Sequence, residues 1–186
     1  MEGYKKGLRM STVPLEEALA SGAVASFEQP ESMLLACHQR VLRMCNLLER
    51  LCEHVQRHGA DTQARQAATD ILRYFDLAAP LHHQDEELHL IPRLQAAGHT
   101  AWADTITSQH EIMEAMWRTL GAVLRALEQG DPAPLLSSTL PPRFVALYHE
   151  HIDLEENHAY PAVLSALSDQ EQEKIGKEME ARRKKS

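Results

Sequence analysis

Two short segments of the chain carry the same arrangement of side chains that can bind a metal ion. The first reads 82-HHQDEELHLIP-92 and the second reads 151-HIDLEENHAYP-161. Aligned on their prolines, both read His, three residues, Glu-Glu, any residue, His, any residue, Ile or Tyr, and Pro. A repeated set of imidazoles and carboxylates suggests a shared site. The matched positions are His82 and His151, Glu86 and Glu155, Glu87 and Glu156, His89 and His158, and Pro92 and Pro161.

The spacing within each repeat puts a histidine and a glutamate on one face of a helix. Residues four apart lie one above the other, so His82 faces the same point as Glu86, and His151 the same point as Glu155. The apolar periodicity around both pairs turns that face inward. A single pair is as often a satisfied part of a core as a ligand pair. Two buried glutamates together are costly unless a cation compensates their charge.

The rest of the chain supplies the helices that position these residues. Hydrophobic residues make up 44% of the 186 residues and aromatic residues 5%, a composition typical of packed helices. We predict an all-α fold, an antiparallel up-down-up-down four-helix bundle with extra N-terminal and C-terminal helical segments. The long helices are predicted at 32–58, about 62–97, 101–128 and 141–167. The predicted units are an N-terminal extension (1–31, with a short helix around Pro14 to Ala20), the bundle (32–167) and a charged C-terminal helix (168–186).

Proline, glycine and capping residues predict where the helices bend and end. Pro80 should kink the second helix just before the first repeat, because its ring removes a hydrogen bond and crowds the preceding turn. Gly98 should end that helix, and segment 129–142, rich in Pro and Ser, is predicted to be a loop. Ser168 and Glu171 match a capping box at the start of the charged helix. That helix has few apolar anchors, so we expect it to be partly exposed.

Two further histidines lie on the inward faces of the first and third helices. His38 lies about one turn into the first helix and His110 lies early in the third, whereas the repeats lie late in the second and fourth. The start of one helix meets the end of its neighbour in an antiparallel bundle, so all four levels are expected to coincide. Mixed imidazole and carboxylate donors favour iron or manganese over structural zinc, and six or seven ligands fit two ions better than one.

The other histidines of the repeats are not predicted to be ligands. His83 and His149 point about a quarter turn away from the inward faces, and we expect them at the surface or just outside the ligands. His89 and His158 lie one turn beyond the glutamates and should either hydrogen-bond to a ligand or pack in the core. A second frame with the same spacing breaks the proline alignment; it pairs His83 with Glu87 and His149 with Asp153.

From about Met33 to Leu167 the chain resembles the hemerythrin-like (HHE cation-binding) family. The resemblance rests on CHQRV around His38, QHEIM around His110 and the two repeats. It implies a non-haem di-iron centre that binds dioxygen or senses oxygen, nitric oxide, redox state or iron. It also implies terminal imidazoles from His38, His82, His110 and His151, and bridging carboxylates from Glu86 and Glu155.

One position departs from the classical oxygen carriers of that family. Those carriers have a second histidine one turn after the first on the third helix, and this chain has Glu114 there. Glu114 would either add a carboxylate ligand that favours ferric iron or leave the position open, and both alternatives weaken the case for reversible oxygen carriage. The candidate metal ligands are therefore His38, His82, Glu86, His110, Glu114, His151 and Glu155.

Charge and hydropathy exclude several classes of function. The net charge is -8 and no basic face with interleaved aromatics is present, so we expect no nucleic-acid partner. No segment has the roughly 18 apolar residues that cross a bilayer, and the first residues are too charged for a secretory signal. We therefore expect a cytoplasmic protein with no membrane partner. Cys37, Cys45 and Cys52 lie in one predicted helix and imply no disulfide framework.

The predicted function is a non-haem di-iron protein that binds O2, NO or peroxide in oxygen or redox sensing, iron handling or the oxidative-stress response. Its cofactor would be two oxo- or hydroxo-bridged iron ions, with manganese or zinc as alternatives. A di-iron oxidase or peroxidase is a second reading, although ferritin-like enzymes use Glu-x-x-His rather than His-x-x-x-Glu. A zinc-bound or metal-free helical interaction module is a third. No catalytic group is visible beyond the ligands, so we lean against an enzyme; a homodimer remains open.

Overall fold

The computed structural model describes residues 29–184, and every regular element in this range is helical, as predicted. The short helix expected around Pro14 to Ala20 lies outside the described residues. Among residues 29–184 there is no helix with the length and apolar character that crossing a bilayer requires. The helices are α1 (Pro30–His58), α2 (Thr62–Arg73, a π-helical turn Tyr74–Ala78, then Ala79–His89), α3 (Ile91–Ala96), α4 (Thr100–Glu128), α5 (Ala133–Ser137), α6 (Leu140–Leu154, a π-helical turn Glu155–Ala159, then Tyr160–Val163) and α7 (Asp169–Arg183).

The four long helices α1, α2, α4 and α6 pack around a common interior. Both α1 and α4 pack against α2 and α6. Local signals fix their ends: the side chain of Asp61 caps α2 by accepting a hydrogen bond of 2.8 Å from the backbone N–H of Ala64. Gly98 follows α3 with a φ of 85°, a left-handed conformation that favours glycine. Helical structure therefore stops at Gly98 as predicted, but the predicted second helix is divided, because α2 ends at His89 and α3 covers Ile91–Ala96.

We predicted from its composition that the proline-rich segment 129–142 is a loop. The structure shows that part of it is helical. It contains the short helix α5, whose second residue is Pro134. Proline is tolerated in the first turn of a helix, where its missing N–H has no partner to lose. Leu135 is buried in the core and anchors the turn. Burial of one leucine thus gives regular structure to a segment whose composition is typical of a loop.

Two π-helical turns interrupt the helices that carry the repeats. One, Tyr74–Ala78, comes just before Pro80, where a kink was expected; the backbone N–H of Ala79 donates to the carbonyl of Tyr74, five residues back. The other runs over Glu155–Ala159, just before Pro161. A π turn inserts one extra residue, so the inward face shifts by one position after it. No feature of the apolar periodicity predicts these turns.

A layer of buried polar side chains separates two apolar clusters. One cluster fills the bundle on the side of Leu48, Leu124 and Phe144. The other gathers Leu34, Leu90, Ile106 and Tyr160 at the opposite side of the layer. The polar layer comprises His38, His82, Glu86, His110, His151 and Glu155, each with at most 4% of its surface exposed.

The C-terminal helix α7 packs against α1 and α2. Its start has the predicted capping box between Ser168 and Glu171. Ile175 and Met179 are buried in the second apolar cluster, and the guanidinium groups of Arg182 and Arg183 contact the buried carboxylate of Asp85 at 2.6 and 2.7 Å. This helix is therefore anchored more firmly than its sparse apolar residues indicated.

Candidate metal centre

Six of the seven predicted ligand side chains meet in the polar layer. His38 comes from α1, His110 from α4, and a histidine and a glutamate each from α2 and α6. Two overlapping groups of four have one donor atom from each member within 4.8 Å of all the others. The first group is His38, His82, Glu86 and Glu155; the second is Glu86, His110, His151 and Glu155.

The carboxylate of Glu86 lies between imidazoles of both groups. Its Oε1 is 3.3 Å from Nε2 of His82, and its Oε2 is 3.4 Å from Nε2 of His110. Glu155 also contacts imidazoles of both groups: its Oε2 is 3.1 Å from Nε2 of His38 and 3.2 Å from Nε2 of His151. Both glutamates can therefore connect the two groups, which is the geometry that a bridging carboxylate needs.

Three of the four imidazoles are fixed through the nitrogen that faces away from the centre. His38 Nδ1 lies 2.9 Å from the carboxylate of Glu156, and His110 Nδ1 lies 3.2 Å from that of Glu87. Nδ1 of His151 lies 3.0 Å from the side-chain oxygen of Gln109. When Nδ1–H donates to these oxygens, the lone pair of Nε2 points inward, which is the usual arrangement of metal-binding histidines. The second glutamate of each repeat thus orients a histidine on another helix.

Buried polar atoms without hydrogen-bond partners concentrate at this point in the described part of the chain. They include both ring nitrogens of His82, Oε2 of Glu86 and both carboxylate oxygens of Glu155. Buried polar atoms are normally satisfied, and each exception needs a physical explanation. Several lone pairs of imidazoles and carboxylates therefore converge here without a hydrogen-bond donor, which matches the needs of a bound cation. The residues present therefore fit bound metal.

The pKa values of the buried glutamates and histidines are shifted by burial and by the charges of their neighbours, upward for some groups and downward for others. Burial raises the pKa of Glu155, and the negative charge of Glu86 raises it further, to about 8. Burial acting alone would lower the pKa of His38, but Glu155 and Glu86 outweigh it and raise the value to about 10. Burial lowers the pKa of His82 to about 3 despite the attraction of Glu86. Without metal, the centre therefore holds protons at neutral pH that compensate its buried carboxylates.

Tyr160 is a polar residue of the centre to which sequence reasoning assigned no role. Its hydroxyl donates a short hydrogen bond to Oε1 of Glu86 and lies 3.1 Å from Nε2 of His38. Its ring stacks on that of His38, with centroids 5.4 Å apart. The only available signal was its place in the repeat frame, one residue before the proline. Tyr160 fixes the orientation of one bridging carboxylate.

Glu114 is the one predicted ligand that the structure does not bring to the centre. Its side chain is 73% exposed and contacts Arg118, one turn along α4, at 3.3 Å. Of the two alternatives for this position, the structure corresponds to the open one. The inward position one turn after His110 is held by Met113, which is 1% exposed, and the neighbouring side chain of Glu114 reaches water instead.

His83 lies nearer to the centre than its expected quarter-turn offset indicated. Its ring stacks on that of His110 with centroids 4.0 Å apart and planes inclined by 9°. Its Nε2 atom is buried and has no hydrogen-bond partner. His149, its counterpart in the second frame, is exposed as expected. The two positions of that frame are therefore not equivalent.

The histidines beyond the two glutamates also differ from each other. His89 is buried and contacts Arg182 of α7 at 2.9 Å rather than a residue of the centre. His158 is exposed and stacks on Trp102 with centroids 5.6 Å apart. The π turn in α6 explains the difference, because the extra residue rotates His158 outward and places Ala159 and Tyr160 inward instead.

Comparison with known proteins agrees with this geometry. Residues 29–163 match the hemerythrin HHE cation-binding domain, and this match covers more than half of the chain. The chain belongs to the hemerythrin HHE cation-binding family. An uncharacterized protein of Haemophilus influenzae is 36% identical to it over 163 residues, which make up 86% of this chain and 92% of that protein. The buried histidine and glutamate cluster, which could hold a metal ion, lies within the matched residues.

We expect the outer carboxylates to tune the metal affinity of the HHE domain. Replacing Glu156 with glutamine weakens the acceptor that holds Nδ1–H of His38, so the affinity for metal should fall by roughly 10-fold. Competition with a metal-binding dye measures the change. Glu150→Gln is the matched control, since Glu150 is an exposed glutamate on the same helix. Equal affinities for the two variants would show that Glu156 does not orient His38.

Proposed function

We propose that this chain is a non-haem di-iron protein. One iron is held by His38 and His82, the other by His110 and His151, and the carboxylates of Glu86 and Glu155 bridge them at a separation of about 3.5–4 Å. The single observation that carries the proposal is the position of these two buried carboxylates, each in contact with imidazoles of both groups. Glu114 is left out of the ligand set because it is exposed.

The donor chemistry favours iron over zinc. Structural zinc sites use four ligands, often thiolates, around one ion, whereas this cluster offers four nitrogens and two shared carboxylates. Imidazole and carboxylate together suit iron or manganese. We also infer that the four long helices run alternately up and down, because His38 and His110 lie early in their helices while the repeats lie late in theirs. This arrangement places His38, His110 and the two repeats at the same depth in the bundle.

We further propose that the centre binds O2, NO or peroxide and serves in oxygen or redox sensing, iron handling or the oxidative-stress response. The irons would supply ligand binding and redox change, while the protein fixes the imidazoles and excludes water through the apolar clusters on either side. A cavity of about 540 Å³ reaches His110 from the surface of α2 and α4 and offers a route for a small ligand. Its lining includes Phe75, His83, Glu87, His110, Trp117 and Tyr148.

Spectroscopy with added ligand tests this function. The iron-loaded protein should gain near-ultraviolet and visible absorption when oxygen, nitric oxide or peroxide is added to the anaerobic ferrous form. His82→Ala, which removes an imidazole from one iron, should weaken the change. A spectrum that stays unchanged with all three ligands would contradict the proposed role, even if two irons are bound.

The cavity also supports a second candidate, a weak peroxidase or oxidase. At about 540 Å³ it has more room than a diatomic molecule needs, so a small organic reductant could approach His110. Steady-state peroxide consumption by the iron-loaded protein, with and without a phenolic reductant, separates this candidate from simple ligand binding. Turnover that is absent in His82→Ala would favour the enzyme.

Metal affinity should rise with pH. The pKa of His38 is raised to about 10 and that of Glu155 to about 8, so the metal-free centre holds protons at neutral pH that bound metal must displace. Bound metal needs both groups deprotonated, so binding releases protons and is favoured as the proton concentration falls. We expect the apparent affinity to increase between about pH 6 and pH 8. A titration in buffers of different ionisation enthalpy counts the released protons, and zero release would contradict the assignment of these ligands.

A further inference from the structure

His83 has the position of an additional metal-binding residue. Its Nε2 is buried without a hydrogen-bond partner, although an imidazole nitrogen in a protein interior is normally satisfied. It belongs to a third group of possible ligands, with His110 and His151, in which one nitrogen from each residue lies within 4.8 Å of the other two. Two of these three histidines already belong to the centre, so the ring of His83 lies beside one particular metal position.

Without His83, each of the two metal positions has two assigned imidazoles besides the shared carboxylates: His38 and His82 at one, His110 and His151 at the other. Glu114, which could have added a donor from α4, is exposed. The group of three histidines offers an additional imidazole from α2, one residue after His82, at the position of His110 and His151.

We propose that His83 is a third imidazole ligand of the metal held by His110 and His151. This inference rests on the proposed two-metal function and adds a ligand to it. The same side chain lines the cavity that opens to solvent, so the metal on this side is the one that an incoming molecule meets first. His83 therefore also sets how many coordination positions remain free for a small ligand there.

The competing explanation is that His83 only packs against His110. Their parallel rings, 4.0 Å apart, would stabilise the orientation of His110 without any bond from His83 to metal. Two substitutions separate these roles. His83→Phe keeps a stacking ring and removes the donor nitrogen, whereas His83→Gln removes the ring. His149→Gln is the matched control, because it changes an exposed histidine of the second repeat.

Anaerobic titration of the metal-free full chain with Fe(II), in competition with a chelator, gives the number and affinity of bound ions. We expect two ions for the unaltered chain and for His149→Gln. For both His83 variants we expect one tight ion, with the affinity for the second reduced by more than the roughly 10- to 100-fold that loss of an outer hydrogen-bond partner costs. In His83→Ala, added imidazole can enter through the cavity and should restore the second ion.

Several results would overturn the assignment. If His83→Phe binds two ions with unchanged affinity, His83 only packs. If His83→Phe loses both ions, or if imidazole fails to restore the second ion in His83→Ala, the residue acts on the fold rather than as a ligand. Failure of the proposed function itself looks different, since the unaltered chain would then hold fewer than two ions or His82→Ala would still hold two.

Discussion

Replacing Glu86 with glutamine is expected to remove at least one of the two metal ions. Glu86 is fully buried and its two oxygens face His82 and His110, on opposite sides of the centre. Glutamine has nearly the same shape but lacks the negative charge and one acceptor oxygen, so it cannot bridge two cations. The buried positive charge of two ions would then be compensated by Glu155 alone, which is unfavourable in an apolar interior.

Metal analysis of the purified variants measures this effect. Glu114→Gln is the matched control, because Glu114 is a glutamate of the same pattern that the structure leaves exposed, and it should retain two ions per chain. Circular dichroism monitors whether Glu86→Gln still folds. Two ions bound with unchanged affinity in Glu86→Gln would remove the bridging role from the account, and loss of an ion in Glu114→Gln would return Glu114 to the ligand set.

Replacing Asp85 with asparagine is expected to give the largest loss of stability outside the centre. Asp85 is 1% exposed and its carboxylate contacts the guanidinium groups of Arg182 and Arg183, which are 17% and 21% exposed. Without the carboxylate charge, two partly buried cations face a neutral amide. We expect the free energy of unfolding to fall by about 2–3 kcal/mol, near the lower end for breaking a buried ion pair because both arginines keep some access to water.

Urea unfolding of the metal-free protein isolates this effect from metal binding. The midpoint should shift by roughly 1 M, and proteolysis should cleave α7 before the four long helices. Asp104→Asn, on the exposed face of α4, should leave the midpoint unchanged. Equal midpoints for the two variants would mean that the contacts of Asp85 with Arg182 and Arg183 do not stabilise the fold.

The depth of the candidate metal centre in the bundle could be predicted because it depends only on the positions of its residues along each helix. The four-residue interval between His82 and Glu86, and between His151 and Glu155, fixes a shared face wherever the chain stays helical. The early positions of His38 and His110 then fix the depth. All six of these side chains are buried in one layer. Residue periodicity is thus sufficient for pairs four residues apart, even in α2, where a π turn precedes His82.

The inward positions that follow Glu155 in α6 could not be predicted in the same way. Regular helical periodicity extends the inward face of α6 from Glu155 to His158, but the turn Glu155–Ala159 moves it to Ala159 and Tyr160. The first repeat has no such turn after Glu86, so His89 stays buried. The two repeats are alike in sequence and differ in this one insertion, which depends on packing rather than on local residue type.

Two other features depend on contacts between helices that no single helix reveals. The residue periodicity of α2 by itself places His83 off the inward face. Its ring nevertheless lies beside the centre, because His110 of α4 stacks on it. The anchoring of α7 depends on Asp85, more than 80 residues earlier in the chain. A charge on one helix whose partner is distant in sequence leaves no periodic signal.

Iron content is the most direct test of the central claim, that buried imidazoles and carboxylates from four helices are stabilised by two shared metal ions. Protein purified under anaerobic conditions from iron-replete cells should contain two irons per chain by mass spectrometry of the elements. X-ray absorption should then give an iron-to-iron distance of about 3.5–4 Å. A single ion, zinc in place of iron, or a fully folded protein that takes up no metal would contradict the account.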